Sequence, residues 1–226
     1  MGVLCEPWQR SWSALSDCTA TATFDPNCHR CPRLAGFLDE VKLKHPDYFA
    51  APVPAFGDAN PKLLIVGLAP GMHGANRTGR PFTGDYAGIL LYKTLFDLGC
   101  SNIPGSDHPN DGLELKGVRI SNAVKCLPPQ NKPETSEIRE CNSFIANEIR
   151  TLPDDCNLLA LGSIAHQAVL RAYGMKLGAL KFGHGAEHEL SDGRRLFDSY
   201  HCSRYNTQTK RLTEEMFRDV LNKALK

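Results

Sequence analysis

The chain has 226 residues, 42% of them hydrophobic and 23% charged, with 26 basic and 25 acidic side chains for a formal charge of +1. That length gives one generous domain or two small ones, and enough chain to bury a core without disulfides. The composition argues against long disorder, and the near-zero charge excludes a generally basic nucleic-acid coat protein while leaving room for a local basic cleft.

No apolar run approaches the ~20 residues that cross a bilayer, so no membrane association is expected. The opening MGVLCEPWQR has no basic stretch followed by an apolar one, so no secretory signal is expected. The expected place is the cytoplasm, where nine cysteines are thiols or metal ligands rather than disulfide partners. Residues 1–27 read as an irregular extension of one domain spanning 1–226, with Trp8, Trp12 and Leu15 as packing anchors. A helix is expected after Pro32, where Leu34, Phe37, Leu38 and Val41 share helical spacing. Four prolines between Pro46 and Pro61 make an extended connector.

Leu63-Leu64-Ile65-Val66 is a continuous apolar run ending at Gly67, as in a strand buried on both faces of a parallel sheet. A long loop over 67–85 follows, carrying five glycines. It lacks both the Gly-Lys-Ser/Thr of a P-loop and the G-x-G-x-x-G pattern. Ala87, Leu90, Leu91, Leu95 and Leu98 then repeat with helical period. Val118–Val124 reads as a second strand and Thr135–Thr151 as a helix with Ile138, Cys141, Ile145 and Ile149 on its apolar face. Leu158–Leu161 is a third strand, with Ser163 expected to cap the next helix, and Arg195–Tyr200 is a fourth. Thr213 can cap the last helix, whose first turn carries Glu214 and Glu215 at the positive end of the macrodipole. Strands alternating with helices predict an α/β sandwich around a mainly parallel sheet. Ligands then bind beyond the carboxyl ends of the strands, in the loops after Val66, Ile120 and Tyr200.

Cys28 and Cys31 form a C-x2-C pair. Cys126 and Cys141 are separated by fourteen residues. Two thiolates two residues apart can hold one metal centre, and the set fits an iron–sulfur cluster or a structural zinc as well as unrelated buried thiols. Cys5, Cys18, Cys100, Cys156 and Cys202 show no ligand spacing and read as small apolar residues, with Cys202 adjoining a candidate site.

Five blocks now fall in order: CHRCPRL, GLAPG, HGANRTGRPFTGD, SNAVKCLPPQNKP and SYHCSRYNTQTKRLT. Together, over residues 28–215, they resemble the uracil-DNA glycosylase superfamily, and within it the iron–sulfur type-b (family 5) enzymes of bacteria and archaea. The resemblance implies a three-layer α/β/α sandwich with a central four-stranded parallel sheet. It implies a structural [4Fe–4S] cluster on Cys28, Cys31, Cys126 and Cys141. It also implies DNA containing deaminated bases as partner, and hydrolysis of the N-glycosidic bond of a flipped base. The protein is expected to act as a monomer at the nucleoid of a prokaryote.

On that reading Phe82 stacks on the base, and Asn122 pairs with its edge because an amide is both donor and acceptor. His201, neutral or charged, stabilises the departing base. Gly67, Ala69 and Gly71 complete the base pocket, and Gly71 leaves room where uracil-specific relatives carry a bulky residue. Leu68 and Ala69 stand where many relatives carry a polar water-managing residue, so Asp85 is the expected electrostatic or water-positioning carboxylate, and also an N-cap. Asn76, Arg77, Arg80, Arg204, Asn206 and Lys210 are expected at phosphates, with Arg204 or Tyr205 wedging into the duplex. Because GLAPG lacks the polar residue, a non-catalytic nucleic-acid-binding protein of the same fold is the alternative, and an unrelated zinc hydrolase a third.

Overall fold

The computed structural model describes residues 24–226, so Trp8, Trp12, Leu15, Cys5 and Cys18 lie outside the described residues. Helix α1 (Pro32–Lys44) opens with proline at its first position, where the missing N–H costs nothing. The strands are β1 (Phe56–Gly57), β2 (Leu63–Gly67), β3 (Val118–Asn122), β4 (Asn157–Leu161), β5 (Glu187–Glu189) and β6 (Arg195–Ser199). They form one sheet in the order β1-β3-β2-β4-β6-β5. The inner four, β3-β2-β4-β6, are parallel as expected. The strand count is corrected from four to six, because two short antiparallel strands extend the edges. β1 is a two-residue pairing inside the proline-rich connector, and β5 is three polar residues. Neither length nor hydropathy marks such edges in a sequence.

Alternation along β2 builds the two apolar layers. Leu63 and Ile65 face a core with Leu91 and Leu95 of α3 (Tyr86–Asp97) and Phe217 and Leu221 of α7 (Glu214–Ala224). Leu64 and Val66 face Ile145 and Ile149 of α4 (Thr135–Thr151) and Val169 of α5 (Ser163–Ala172). A third apolar cluster joins α1 to the chain after β3, through Leu34, Leu38, Val124, Leu127 and Phe144.

The caps explain where the helices begin. Thr213 accepts the Met216 N–H at 3.2 Å, as expected. Glu134 and Glu137 form a reciprocal capping box at α4. The Ser163 cap is corrected: the N-cap is Gly162, at φ +98°, and Ser163 lies inside the helix without a capping bond. The 67–85 loop is also more ordered than expected, since it holds the short helix α2 (Ala75–Thr78). Another short helix, α6 (Arg204–Gln208), follows β6.

Candidate active site

The carboxyl ends of β2, β3 and β6 deliver their loops to one cavity of about 370 Å³. Gly67 and Asn122 are direct partners in the β2–β3 register. The two chains stay bonded past the strands, through Ala123 N–H to Gly67 O (2.9 Å) and Val124 N–H to Leu68 O (3.0 Å). Ala69, Gly71, Phe82, Asp85, Asn122 and His201 all line this cavity. The structure therefore gathers six expected residues that span 133 positions of sequence, from 69 to 201.

Gly67 was expected to touch the base, and it has a different part. It is fully behind the cavity wall. A Cβ on it would stand 2.4 Å from Asn122 Oδ1 and 2.7 Å from Phe82 Cζ. Only glycine there lets the amide and the ring close on one another. Phe82 itself sits at φ +54°, and the residue before it is anchored by the Tyr92 hydroxyl donating to Pro81 O at 2.7 Å. Its ring lies nearly parallel to the His201 ring, with centroids 5.9 Å apart and 27° between planes.

Asn122 is 3% exposed, and its Oδ1 has no hydrogen-bond partner among the described residues. A buried acceptor in this condition is costly unless a ligand satisfies it. Asp85 caps α3 by accepting the Gly88 N–H at 2.9 Å on Oδ1. Burial raises its pKa, against the pull of the Gly88 and Ala87 amides. His201 is fixed by the Asn206 side-chain amide, which donates to its carbonyl at 2.8 Å. Burial pushes the His201 imidazole from 6.5 down to about 4. The sequence left its charge open; buried in this way, the ring is neutral near pH 7. Gly71 is open, since a Cβ there would meet only Asp85 Oδ2, at 3.7 Å.

Two expected phosphate contacts are overturned. Asn76 is fully buried. Arg80 is 6% exposed, and its guanidinium is spent on Thr83 Oγ1 (2.9 Å), Ser106 Oγ (2.8 Å), His108 O (2.6 Å) and Asp111 (2.6 Å). It ties the 78–83 segment to the 106–111 loop and is not offered to solvent. Arg204 and Lys210 are exposed and Arg77 and Asn206 half-buried. Arg204 lies over the Tyr86 ring at 5.0 Å, whereas Tyr205 projects with 70% exposure. Sequence reasoning missed Asn131 and Ser203, which also line the cavity. PPQNKP falls within one of the five blocks, but nothing in its residue types alone points at a pocket.

Cys28, Cys31, Cys126 and Cys141 line a second pocket together, beside Leu34 and Phe144. The Lys125 N–H donates to Cys141 Sγ at 3.2 Å. Cys100, Cys156 and Cys202 are buried in the two cores flanking the sheet. No helix among the described residues is long and apolar enough to cross a membrane.

Comparison with known proteins agrees with this geometry. The family model of the uracil DNA glycosylase superfamily matches residues 54–225. The type-5 uracil-DNA glycosylase of Thermus thermophilus is 48% identical over 202 residues, covering 87% of this chain and 92% of the relative. That of Pyrobaculum aerophilum is 43% identical, covering 88% of each. The type-4 uracil-DNA glycosylase of Saccharolobus solfataricus is 28% identical, covering 74% of each. With the parallel sheet, the cavity at its carboxyl edge and matches of this length in agreement, the chain belongs to the uracil DNA glycosylase superfamily.

Proposed function

We propose that this chain is a DNA-repair glycosylase. It flips uracil out of DNA into the cavity at the sheet edge and hydrolyses the N-glycosidic bond, leaving an abasic site. The observation that carries the reading is that Asn122, whose buried Oδ1 has no hydrogen-bond partner among the described residues, lines the same cavity as Phe82, His201 and Asp85. Uracil presents a ring N–H beside a carbonyl, which one carboxamide meets with its acceptor and its donor. Phe82 supplies the stacking face.

As the bond breaks, negative charge gathers on the base carbonyls and positive charge on the sugar. A neutral His201 N–H donates to the former without the cost of burying an imidazolium. Asp85 Oδ1 is occupied by its helix cap, and Oδ2 is left to orient a water or face the sugar cation. The absent polar residue at Leu68 and Ala69 is thus offset by a carboxylate arriving from α3.

Hypoxanthine and xanthine carry the same N–H and carbonyl pair as uracil. The open space at Gly71 supports a pocket that also takes these deaminated purines. Arg77, Arg204, Asn206 and Lys210 serve as phosphate contacts, and the exposure of Tyr205 favours it over Arg204 as the wedge. One chain supplies the whole site, so the working form is a monomer, acting on genomic DNA in the cytoplasm at the nucleoid.

The four cysteines fit a [4Fe–4S] cluster. The support is that all four line one pocket, an all-thiolate donor set of the kind that holds iron–sulfur clusters. When bound, the cluster cross-links α1 to the 126–141 segment and so fixes the chain beside the pocket.

The test is cleavage of duplexes carrying uracil, hypoxanthine, xanthine or thymine opposite guanine. Excision of uracil and both deaminated purines is expected. Strict uracil preference would refute the wide pocket. Binding without any abasic product would favour the non-catalytic alternative.

A further inference from the structure

We propose that Asn131 grips a backbone phosphate of the flipped nucleotide. This rests on the glycosylase reading and adds a contact to it. Asn131 lines the same cavity as Asn122 and His201, but it is exposed where Asn122 is buried. A nucleotide entering base-first puts its base at the closed end, against Phe82 and Asn122. Its sugar and phosphates are left at the rim, where Asn131 stands. Among the described residues nothing bonds the Asn131 carboxamide; only its backbone N–H is used, donating to Pro128 O at 3.0 Å. Its two amide hydrogens suit the non-bridging oxygens of a phosphate.

The backbone around it is held in an unfavourable form. Gln130 and Asn131 are consecutive non-glycine residues in the left-handed region, at φ +56° and +57°. Such conformations persist where the surroundings impose them, and they concentrate at sites that grip ligands. Here the surroundings are visible. Leu127 is buried in the α1 cluster. Lys132 O accepts from Arg33 Nη2 at 3.3 Å, and Arg33 forks onto Glu137 at 2.8 and 2.7 Å. The turn is thus fastened from α1 and from α4, and it carries Asn131 to the cavity.

Asparagine also tolerates left-handed backbone better than most residues, and that competing explanation sets the experiment. Asn131→Gly keeps the backbone and removes only the amide, so its melting temperature should equal or exceed that of wild type. On uracil duplexes its kcat/KM should fall about tenfold, the scale of a hydrogen bond to a charged group. The fall should be equal opposite guanine and adenine, because a phosphate contact does not read bases. Affinity for a duplex carrying an abasic-site analogue should fall alike. A neutral methylphosphonate on one side of the lesion should weaken wild type and leave Asn131→Gly unaffected. If Asn131→Gly stays within twofold of wild type in both rate and affinity, the contact does not exist. If wild type binds uracil duplex without cleaving it, the glycosylase reading fails, and the affinity difference still decides the contact. A wild type with no affinity for the duplex overturns both.

Discussion

Gly67→Ala adds one methyl group and should disable the site. Its Cβ would stand 2.4 Å from Asn122 Oδ1 and 2.7 Å from the Phe82 ring. Carbon contacts are comfortable only near ~3.5 Å, so both side chains must retreat by about 1 Å. The backbone cannot relieve the clash, because Gly67 pairs with Asn122 in the parallel ladder and its carbonyl holds Ala123 N–H. Overpacking of this kind costs ~1–3 kcal/mol of stability. For a chain of this length that lowers the melting temperature by roughly 2–4 °C per kcal/mol. The protein therefore stays folded. A misplacement of ~1 Å in the groups that orient a substrate costs on the order of 100-fold in rate. The assay is single-turnover excision of uracil from a duplex, beside a melting curve. Gly71→Ala is the control for stability: its Cβ meets only Asp85 Oδ2 at an ordinary 3.7 Å, and its melting temperature should stay near wild type. Gly67→Ala excising at the wild-type rate would refute the packing of Asn122 against Phe82 as the basis of the pocket.

His201 should contribute no loss of rate as pH falls through 6.5, because it is already neutral and stays so down to about 4. The acidic limb should come from Asp85, whose pKa burial raises; a limb centred at 6.5 that persists in the residual activity of Asp85→Asn would contradict the lowered pKa of the ring. Stability should carry the opposite signature at His166. Burial lowers its pKa, but its bond to Asp198 at 2.8 Å and that carboxylate's charge outweigh burial and raise it above 6.5. A raised folded pKa stabilises fully below 6.5, and the benefit fades as pH rises through the raised value. The melting-temperature gap between wild type and His166→Asn should therefore be widest in acid and narrow toward alkaline pH; a constant gap would show an unprotonated histidine. Arg80→Ala should cost ~3–5 kcal/mol, as for breaking a buried pair, without changing the salt dependence of DNA binding. Arg204→Ala should lower the slope of log affinity against log salt by about one without lowering the melting temperature.

Of the parallel core, β2 and β4 were the most legible, because both are buried along their whole length and read as apolar runs; β3 and β6 carry polar residues and were placed by their alternation with helices. The edges were not legible, because β1 and β5 pair over two and three residues and are specified by the neighbour they meet. Phe82, Asp85, Asn122 and His201 were legible as residue types in blocks, and the structure joins them by strand register. Arg80 shows the limit. In sequence it is one more arginine beside a glycine-rich loop; what removes it from the DNA surface is Ser106 and Asp111, which come near only on folding. Asn131 was invisible for the converse reason, since its turn owes its place to Arg33, almost a hundred residues away in the chain. The charge on His201 likewise follows from its burial, and the type of residue leaves it undecided.

The central claim is that the residues gathered at the sheet edge break an N-glycosidic bond. The most direct measurement compares wild type with His201→Ala on a uracil-containing duplex, reading single-turnover abasic-site formation and duplex affinity on the same preparations. Loss of one donor to a developing anion predicts a rate lower by ~10²–10³, with affinity nearly unchanged because Arg204 and Lys210 remain. Equal rates in the two proteins, or wild type that binds the duplex and leaves no abasic site, would contradict the account.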